Sequence, residues 1–356
     1  MADERLILPI DPACPWLAPL AGYTDLMFRT LCREQGAAAA CTEMVSAKGL
    51  IYGERGRKGH NATRELLRTE ESDSPLVVQL FGAEPEFLGQ AVELLRSWGF
   101  GWFDLNLGCS VPKVTKSGAG AALAKDMQKT LAAAEAMIKA AGAAPALPGG
   151  VAALTGRVGF KLRLGWSPEE ENYLELARGL EQCGAAWLTL HPRYARQGFA
   201  GNADSAALET LVRTVGIPVI ASGDLLDARA ALRVVRQTGV SGVMFARGAL
   251  HNPAIFKDYV LLLEQGSGNG GGKDEEAGLR PDPEVLKTLL LRHAQLAQST
   301  GQDAERAVLK MRGALPRYVK NLPGSKAFRA ALSRCASWTE FYKLLEDFFG
   351  GHYAGD

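Results

Sequence analysis

The sequence predicts an α/β chain: a (β/α)8 TIM barrel followed by a small all-α helical domain. Three observations carry that expectation. Eight short apolar runs alternate with helix-period segments across residues 1–262. Runs that are apolar on both faces suit parallel strands buried beneath helices, and eight such units need about the 250 residues typical of the barrel. No G-x-G-x-x-G follows the first run, which disfavours a doubly wound dinucleotide-binding sheet. Finally, Gly266-Ser-Gly-Asn-Gly-Gly-Gly272 cannot build a core, and it separates the barrel from a tail of helical patterns.

The strands are expected at Trp16–Leu20, Ala40–Met44, Leu76–Phe81, Phe103–Leu107, Val158–Leu162, Trp187–His191, Pro218–Ala221 and Gly242–Ala246. Between them, Pro85–Ser97, Pro168–Cys183, Asp204–Thr214 and Asp227–Thr238 repeat apolar residues at helical spacing. The Ala-rich stretch from Leu131 to Gly156 reads as a helix plus a variable loop. Residues 263–282 form the Gly-rich linker. Within the tail, 283–356, helices are expected at Val285–Gln298, Glu305–Val319, Ala327–Cys335 and Trp338–Phe349.

Composition narrows the function. The chain is 47% hydrophobic and 22% charged, an ordinary globular mixture. No apolar stretch is long enough to span a membrane, and the acidic start Met1-Ala-Asp-Glu-Arg5 does not resemble a secretory signal, so a cytoplasmic protein is expected. Six scattered cysteines without a C-x-x-C pair and five dispersed histidines give no metal site. Net charge is only +1, but residues 283–356 carry +4 against −3 for the rest. Eight bases and one acid fall within 305–334, among them Lys310, Arg312 and Lys320. Such a cluster suits nucleic-acid phosphates, or else it is a solvated helix face.

In a barrel, chemistry sits at the C-terminal ends of the strands. There the chain presents Ala18-Pro19-Leu20-Ala21-Gly22, Gln79, Asn106-Leu-Gly-Cys109, Lys161 with Arg163, and His191. Ser222-Gly223-Asp224 and Ala246-Arg247-Gly248 follow the seventh and eighth strands. Glycine turns at these two ends expose backbone N–H groups to an anion and make the common barrel phosphate site, to which Arg247 adds a charge-assisted contact. No pair of carboxylates appears, which disfavours glycosidase chemistry. Amide, lysine and histidine donors beside a phosphate site suit an organic cofactor whose ring becomes anionic, such as a flavin. Cys109 lies in a polar, turn-rich loop, where a thiol is presented either as a proton donor or as a nucleophile.

Taken together, these residues resemble the tRNA-dihydrouridine synthase family, in particular bacterial members with a helical tail. The resemblance spans nearly the whole chain. It rests on Ala18-Pro-Leu-Ala-Gly-Tyr-Thr-Asp25 with Phe28-Arg29, Glu43-Met44, Val78-Gln-Leu-Phe-Gly82 and Asp104-Leu-Asn-Leu-Gly-Cys109. Lys161-Leu-Arg-Leu-Gly-Trp166, Leu190-His-Pro-Arg193, Ala221-Ser-Gly-Asp224, Met244-Phe-Ala-Arg-Gly248 and Tyr318-Val-Lys-Asn-Leu-Pro-Gly324 extend it. It implies an FMN enzyme that reduces the 5,6 double bond of particular tRNA uridines with NADPH. By matching position, Pro19, Leu20, Ala21, Gln79, Lys161 and His191 would hold the flavin ring and ribityl chain. Ser222, Gly223, Asp224, Ala246 and Arg247 would hold its phosphate. Asn106 and Arg163, with Arg193, would contact the substrate, Cys109 would donate the proton, and Lys310, Arg312 and Lys320 would meet tRNA. The chain departs from the family at Ser110, where proline usually follows the cysteine, and at Ser222, where asparagine is usual. Alternatives are an FMN barrel reductase of a small pyrimidine or enone, a redox-inactive tRNA-binding relative, and a phosphate-binding lyase or isomerase without flavin.

Overall fold

In the computed structural model, residues 8–55, 60–143, 156–265, 282–299, 304–320 and 322–352 are described. Most of the Gly-rich linker lies outside them, as does the loop after the Ala-rich helix.

Nine parallel strands are present among the described residues: β1 Trp16–Leu17, β2 Ala39–Cys41, β3 Val45–Ser46, β4 Leu76–Phe81, β5 Trp102–Asn106, β6 Val158–Leu162, β7 Trp187–Leu190, β8 Val219–Ser222 and β9 Gly242–Phe245. Strand β1 pairs with both β2 and β9, and β2 with β4, so the sheet closes on itself as an eight-membered barrel. The ninth strand is a split. Where one strand was expected over Ala40–Met44, β2 stops at Cys41 and β3 resumes against Leu80 and Phe81 of β4. Thr42 causes the break. Its N–H donates to Val77 O at 3.0 Å. Its side-chain oxygen then takes the Gln79 N–H at 3.1 Å, in place of a backbone acceptor. The first strand is also shorter than expected, because Pro19 has no N–H to extend the ladder.

Among the described residues eleven α-helices accompany the strands: α1 Leu26–Glu34, α2 Ala47–Arg55, α3 His60–Leu66, α4 Pro85–Ser97, α5 Pro112–Thr115, α6 Met127–Ala141, α7 Tyr173–Cys183, α8 Ser205–Thr214, α9 Ala228–Thr238, α10 Arg247–His251 and α11 Ile255–Gln265. Aspartates begin four of them. The Asp25, Asp126, Asp204 and Asp227 carboxylates each accept an N–H of the following first turn, satisfying a donor that the helix leaves unpaired. Buried Arg29 fastens α1 to the segment before β4. It donates to Asp73 at 2.9 Å, to Thr24 O at 2.7 Å and to Arg68 O at 2.6 Å.

The tail folds as α12 Pro283–Ser299, α13 Ala304–Tyr318, α14 Ser325–Leu332 and α15 Trp338–His352. It shares one apolar core with the outer barrel layer: Phe28 and Leu31 of α1 cluster with Leu286, Leu289 and Leu290 of α12. Polar contacts add direction to that packing. Arg292 grips Glu34 through Nε at 3.0 Å and Nη2 at 2.6 Å. Arg317 donates to the Tyr23 hydroxyl at 3.0 Å, and His293 Nδ1 lies 3.0 Å from the Tyr318 hydroxyl. No helix among the described residues is long and apolar enough to cross a membrane.

The closed end of the barrel is filled by Trp16, Trp102 and Trp187, with ring centroids 5.6 and 6.4 Å apart. Gly159 makes room for them, since a Cβ there would lie 2.0 Å from the Trp187 indole. Gly159→Ala is therefore expected to lower stability by about 1–3 kcal/mol or more, read as the denaturation midpoint. Adding Trp187→Leu should recover part of that loss.

Candidate active site

Strand register brings the polar residues together. Gln79 on β4 is level with Asp104 on β5, Asn106 with Lys161 on β6, and Lys161 with Thr189 on β7. Gln79, Asn106 and Lys161 of this set floor a cavity of about 1030 Å³ at the open end of the barrel, open solvent at its mouth included, with Asp104 and Thr189 buried behind them. Of the residues singled out from the sequence, Pro19, Leu20, Ala21, Gln79, Asn106, Cys109, Lys161, Arg163, His191, Ser222, Gly223, Asp224, Ala246 and Arg247 line it.

The floor is a chain of hydrogen bonds. Gln79 Nε2 donates to Asp104 Oδ2 at 2.7 Å, and Asn106 Nδ2 donates to Gln79 Oε1 at 2.9 Å. Asn106 Oδ1 then accepts the N–H groups of Gly108 at 3.1 Å and Cys109 at 2.8 Å. The thiol loop is closed from the other side by the Ala121 N–H on Cys109 O at 2.9 Å. Gly120 (φ 64°) permits that approach, because a Cβ would come within 2.5 Å of the same carbonyl. Ser110 follows Cys109, and Val111 beside it is 54% exposed on the rim.

The cations are held apart and only partly spent. Lys161 makes no hydrogen bond among the described residues. Burial pushes its ammonium down, and the Asp104 carboxylate opposes that. Burial also pushes Asp104 up, against the hydrogen bond from Gln79 and the charge of Lys161. Arg163 donates to Gly108 O, Tyr194 O and Gly198 O, and burial followed by its cationic neighbours lowers it to about 10, still charged. Arg247 donates to Asp224 Oδ1 at 2.7 Å.

His191 is neutral. Burial first, and then the charges of Lys161, Arg163, Arg193 and Arg247, lower its pKa to about 2. Arg193 Nη1 lies 3.2 Å from His191 Nε2. A guanidinium only donates, so Nε2 is the acceptor and the ring proton sits on Nδ1. Gly223 is required behind this ring, for a Cβ would fall 2.4 Å from it.

Two residues are placed differently from their expected roles. Arg193 is 1% exposed and does not line the cavity. Its guanidinium is committed to Asp224 at 2.8 and 2.5 Å and to Ala200 O and Gly201 O. Asp224, in left-handed backbone (φ 52°), spends its carboxylate on Arg193, Arg247 and the Ala203 N–H. Burial raises that carboxyl, but those hydrogen bonds and charges hold it below its ordinary value. Its side chain thus aims Arg247 rather than meeting an anion itself. The tail residues lie away from the cavity. Lys310 pairs with Glu65 at 3.5 Å, Arg312 reaches Arg334 O at 3.5 Å, and Lys320 is exposed.

Sequence reasoning assigned no role to Phe199 or Asp104. Phe199 is 64% exposed at the mouth, its ring 4.7 Å from the Arg247 guanidinium carbon and 6.0 Å from that of Arg163. The turn glycines Gly198 and Gly201 around it were the available signal.

The donor set is one-sided: three cations and two amides face a space whose lining carboxylate, Asp224, is already satisfied. The small residues Ala18, Ala21 and Ala246 leave room for a flat ring. These residues fit an anionic, planar ligand with a phosphate, which is what FMN is.

A family model described as dihydrouridine synthase matches residues 16–350. A probable tRNA-dihydrouridine synthase 1 of Synechocystis sp. is 32% identical, covering 92% of this chain and 84% of its own. The tRNA-dihydrouridine synthase B of Pseudomonas aeruginosa is 32% identical, with 92% of both chains covered. Among solved structures, histamine dehydrogenase from Rhizobium sp. 4-9 superposes with a TM-score of 0.50 at 13% identity, over 81% of this chain and 50% of that one. That last likeness concerns the fold alone.

Buried neutral histidines carry a pH signature. His191 is lowered to about 2, and His293, 2% exposed, is lowered by burial to about 4. The unfolded chain, with histidine near 6.5, then binds more protons below that pH, so this stability is present above about pH 6.5 and is lost as pH falls. His293→Gln should shrink the loss of unfolding free energy between pH 7 and pH 5 by up to about 2 kcal/mol, measured by urea denaturation.

Proposed function

The chain belongs to the dihydrouridine synthase family and is an oxidoreductase that reduces uridine in tRNA, and we propose that it does so in the cytoplasm with FMN in the barrel cavity and NADPH as reductant. The observation that carries this reading is Lys161, an ammonium in the cavity floor with no hydrogen-bond partner of its own among the described residues. Such a charge is suited to the N1–C2 edge of a flavin ring, where negative charge develops on reduction. The chemistry that FMN supplies when bound is hydride delivery to C6 of the uracil.

The chain's own residues do the rest. Pro19, Leu20 and Ala21 leave a flat approach along the first strand end, and Gln79 offers an amide. Neutral His191 donates through Nδ1. Ser222, Gly223 and Ala246 contribute backbone N–H groups to the phosphate, and Arg247, aimed by Asp224, contributes charge. Asn106 and the remaining donor of Arg163 address the uracil. Cys109 gives its proton to C5 from the face opposite the hydride. The uridine has to leave its stack to enter a barrel mouth, as other base-modifying enzymes require.

The tail, 283–356, is assigned to tRNA docking. His251, at the end of α10, is lowered by burial and then by the charges of Lys320, Arg317 and Arg247. Arg247 at the cavity rim and Arg317 and Lys320 at the end of α13 thus lie within electrostatic reach of α10, three cations suited to a phosphate backbone.

Three outcomes test this. The purified protein should be yellow with non-covalent FMN. Cys109→Ala should keep the flavin and its reduction by NADPH while tRNA reduction slows by about 10²–10⁴-fold in single turnover; an unchanged rate would make Cys109 a filler. Lys320→Ala with Lys326→Ala should weaken tRNA binding and flatten the log–log salt dependence by about 0.7–0.9 per lost phosphate contact. An unchanged slope would put docking elsewhere.

A further inference from the structure

The loop that carries Cys109 is held by hydrogen bonds that begin at a carboxyl group deep in the barrel. Asp104 is 2% exposed. One of its oxygens, Oδ2, takes the Gln79 amide at 2.7 Å, whereas Oδ1 is buried without a hydrogen-bond partner among the described residues. A half-satisfied buried carboxyl disfavours the fold, so its presence calls for a role that an apolar residue would not fill.

The polarity of the chain supplies that role. An amide has a donating and an accepting end, and the three links are consistent in only one direction. Two backbone N–H groups, of Gly108 and Cys109, need an oxygen, so Asn106 turns Oδ1 toward them. Its Nδ2 must then find an acceptor, which is Gln79 Oε1 at 2.9 Å. Gln79 is left to donate through Nε2, and only an acceptor can receive it. Asp104 Oδ2 accepts whether the carboxyl is ionised or carries its proton on Oδ1. Reversing any link would turn the Asn106 NH2 against two N–H donors.

We propose that Asp104 is a positioning residue that fixes the direction of the Gln79–Asn106 amide relay and thereby holds the Gly108–Cys109 backbone at the cavity. The inference rests on Cys109 being the proton donor, since that role is what makes the placement of its loop matter. Asp104 itself lies behind Gln79 and does not line the cavity. It acts through two intermediaries. Its carboxyl also shares the barrel floor with Lys161, whose charge offsets part of the cost of burying it.

Hydrogen–deuterium exchange on the full-length, flavin-loaded protein reads the relay at its far end. Asp104→Leu removes the acceptor and should speed exchange of the Gly108 and Cys109 amides about tenfold. Amides of β4, β5 and β6 should keep their protection. Asp104→Asn, which can still turn an oxygen to Gln79, should restore slow exchange at Gly108 and Cys109. Should Asp104→Leu not fold, Gln79→Met breaks the same relay with Asp104 in place and should loosen the same two amides. Unchanged exchange at those amides, or equal loss of protection across β4 to β6, would overturn the proposal. Flavin absorbance recorded on the same samples reports separately on the flavoenzyme reading, because the exchange result does not depend on tRNA turnover.

Discussion

The site is organised by one costly burial: a lysine ammonium in the floor of a closed barrel, with an aspartate nearby to offset it. Taking either charge out of water alone is expensive, and each makes the other tolerable. Lys161 on β6 and Asp104 on β5 share that floor, and the rest of the cavity's electrostatics follows. Burial, and after it the charges of Lys161 and three neighbouring arginines, hold His191 neutral. Asp224 on the far rim absorbs the charge of Arg193 and part of that of Arg247. What remains facing the lumen are donors, with no unsatisfied anion among the lining residues. A planar anion is the ligand such a surface accepts best.

Much of this was legible in the sequence because barrel strands leave an unambiguous mark. Runs such as Leu76–Phe81 and Val158–Leu162 are apolar on both faces, and they became strands with unchanged bounds. Helix starts were legible through Asp204 and Asp227, whose carboxylates cap the first turn. The break at Thr42 was not, since a side-chain oxygen standing in for a backbone acceptor leaves no periodic trace. Site residues were found at strand ends by position, but position does not reveal where a side chain spends its hydrogen bonds. Arg193 sits three residues past the end of β7 and still turns inward to Asp224. Asp104 stood within a recognised motif, yet its link to Cys109 runs through Gln79 on another strand and appears only once the register is known.

The relation of tail to barrel was legible only in part. Composition marked a boundary and a basic cluster, but not that α12 buries its apolar face on α1 or that Arg292 grips Glu34 across the junction. These contacts give the tail a defined orientation to the cavity. Arg317 and Lys320 stand close enough to α10 for their charges to bear on His251. A partner that touches the tail and enters the barrel would meet these cations on the way, which suits folded RNA read by shape and phosphate.

The most direct test of the account is a single turnover. The purified protein is reduced stoichiometrically, excess reductant is removed, and an unmodified tRNA transcript is added anaerobically while flavin absorbance is followed. Reoxidation of the flavin with formation of one dihydrouridine per flavin is the expected result. Flavin that stays reduced in the presence of tRNA, yet is reoxidised by a small enone, would contradict it.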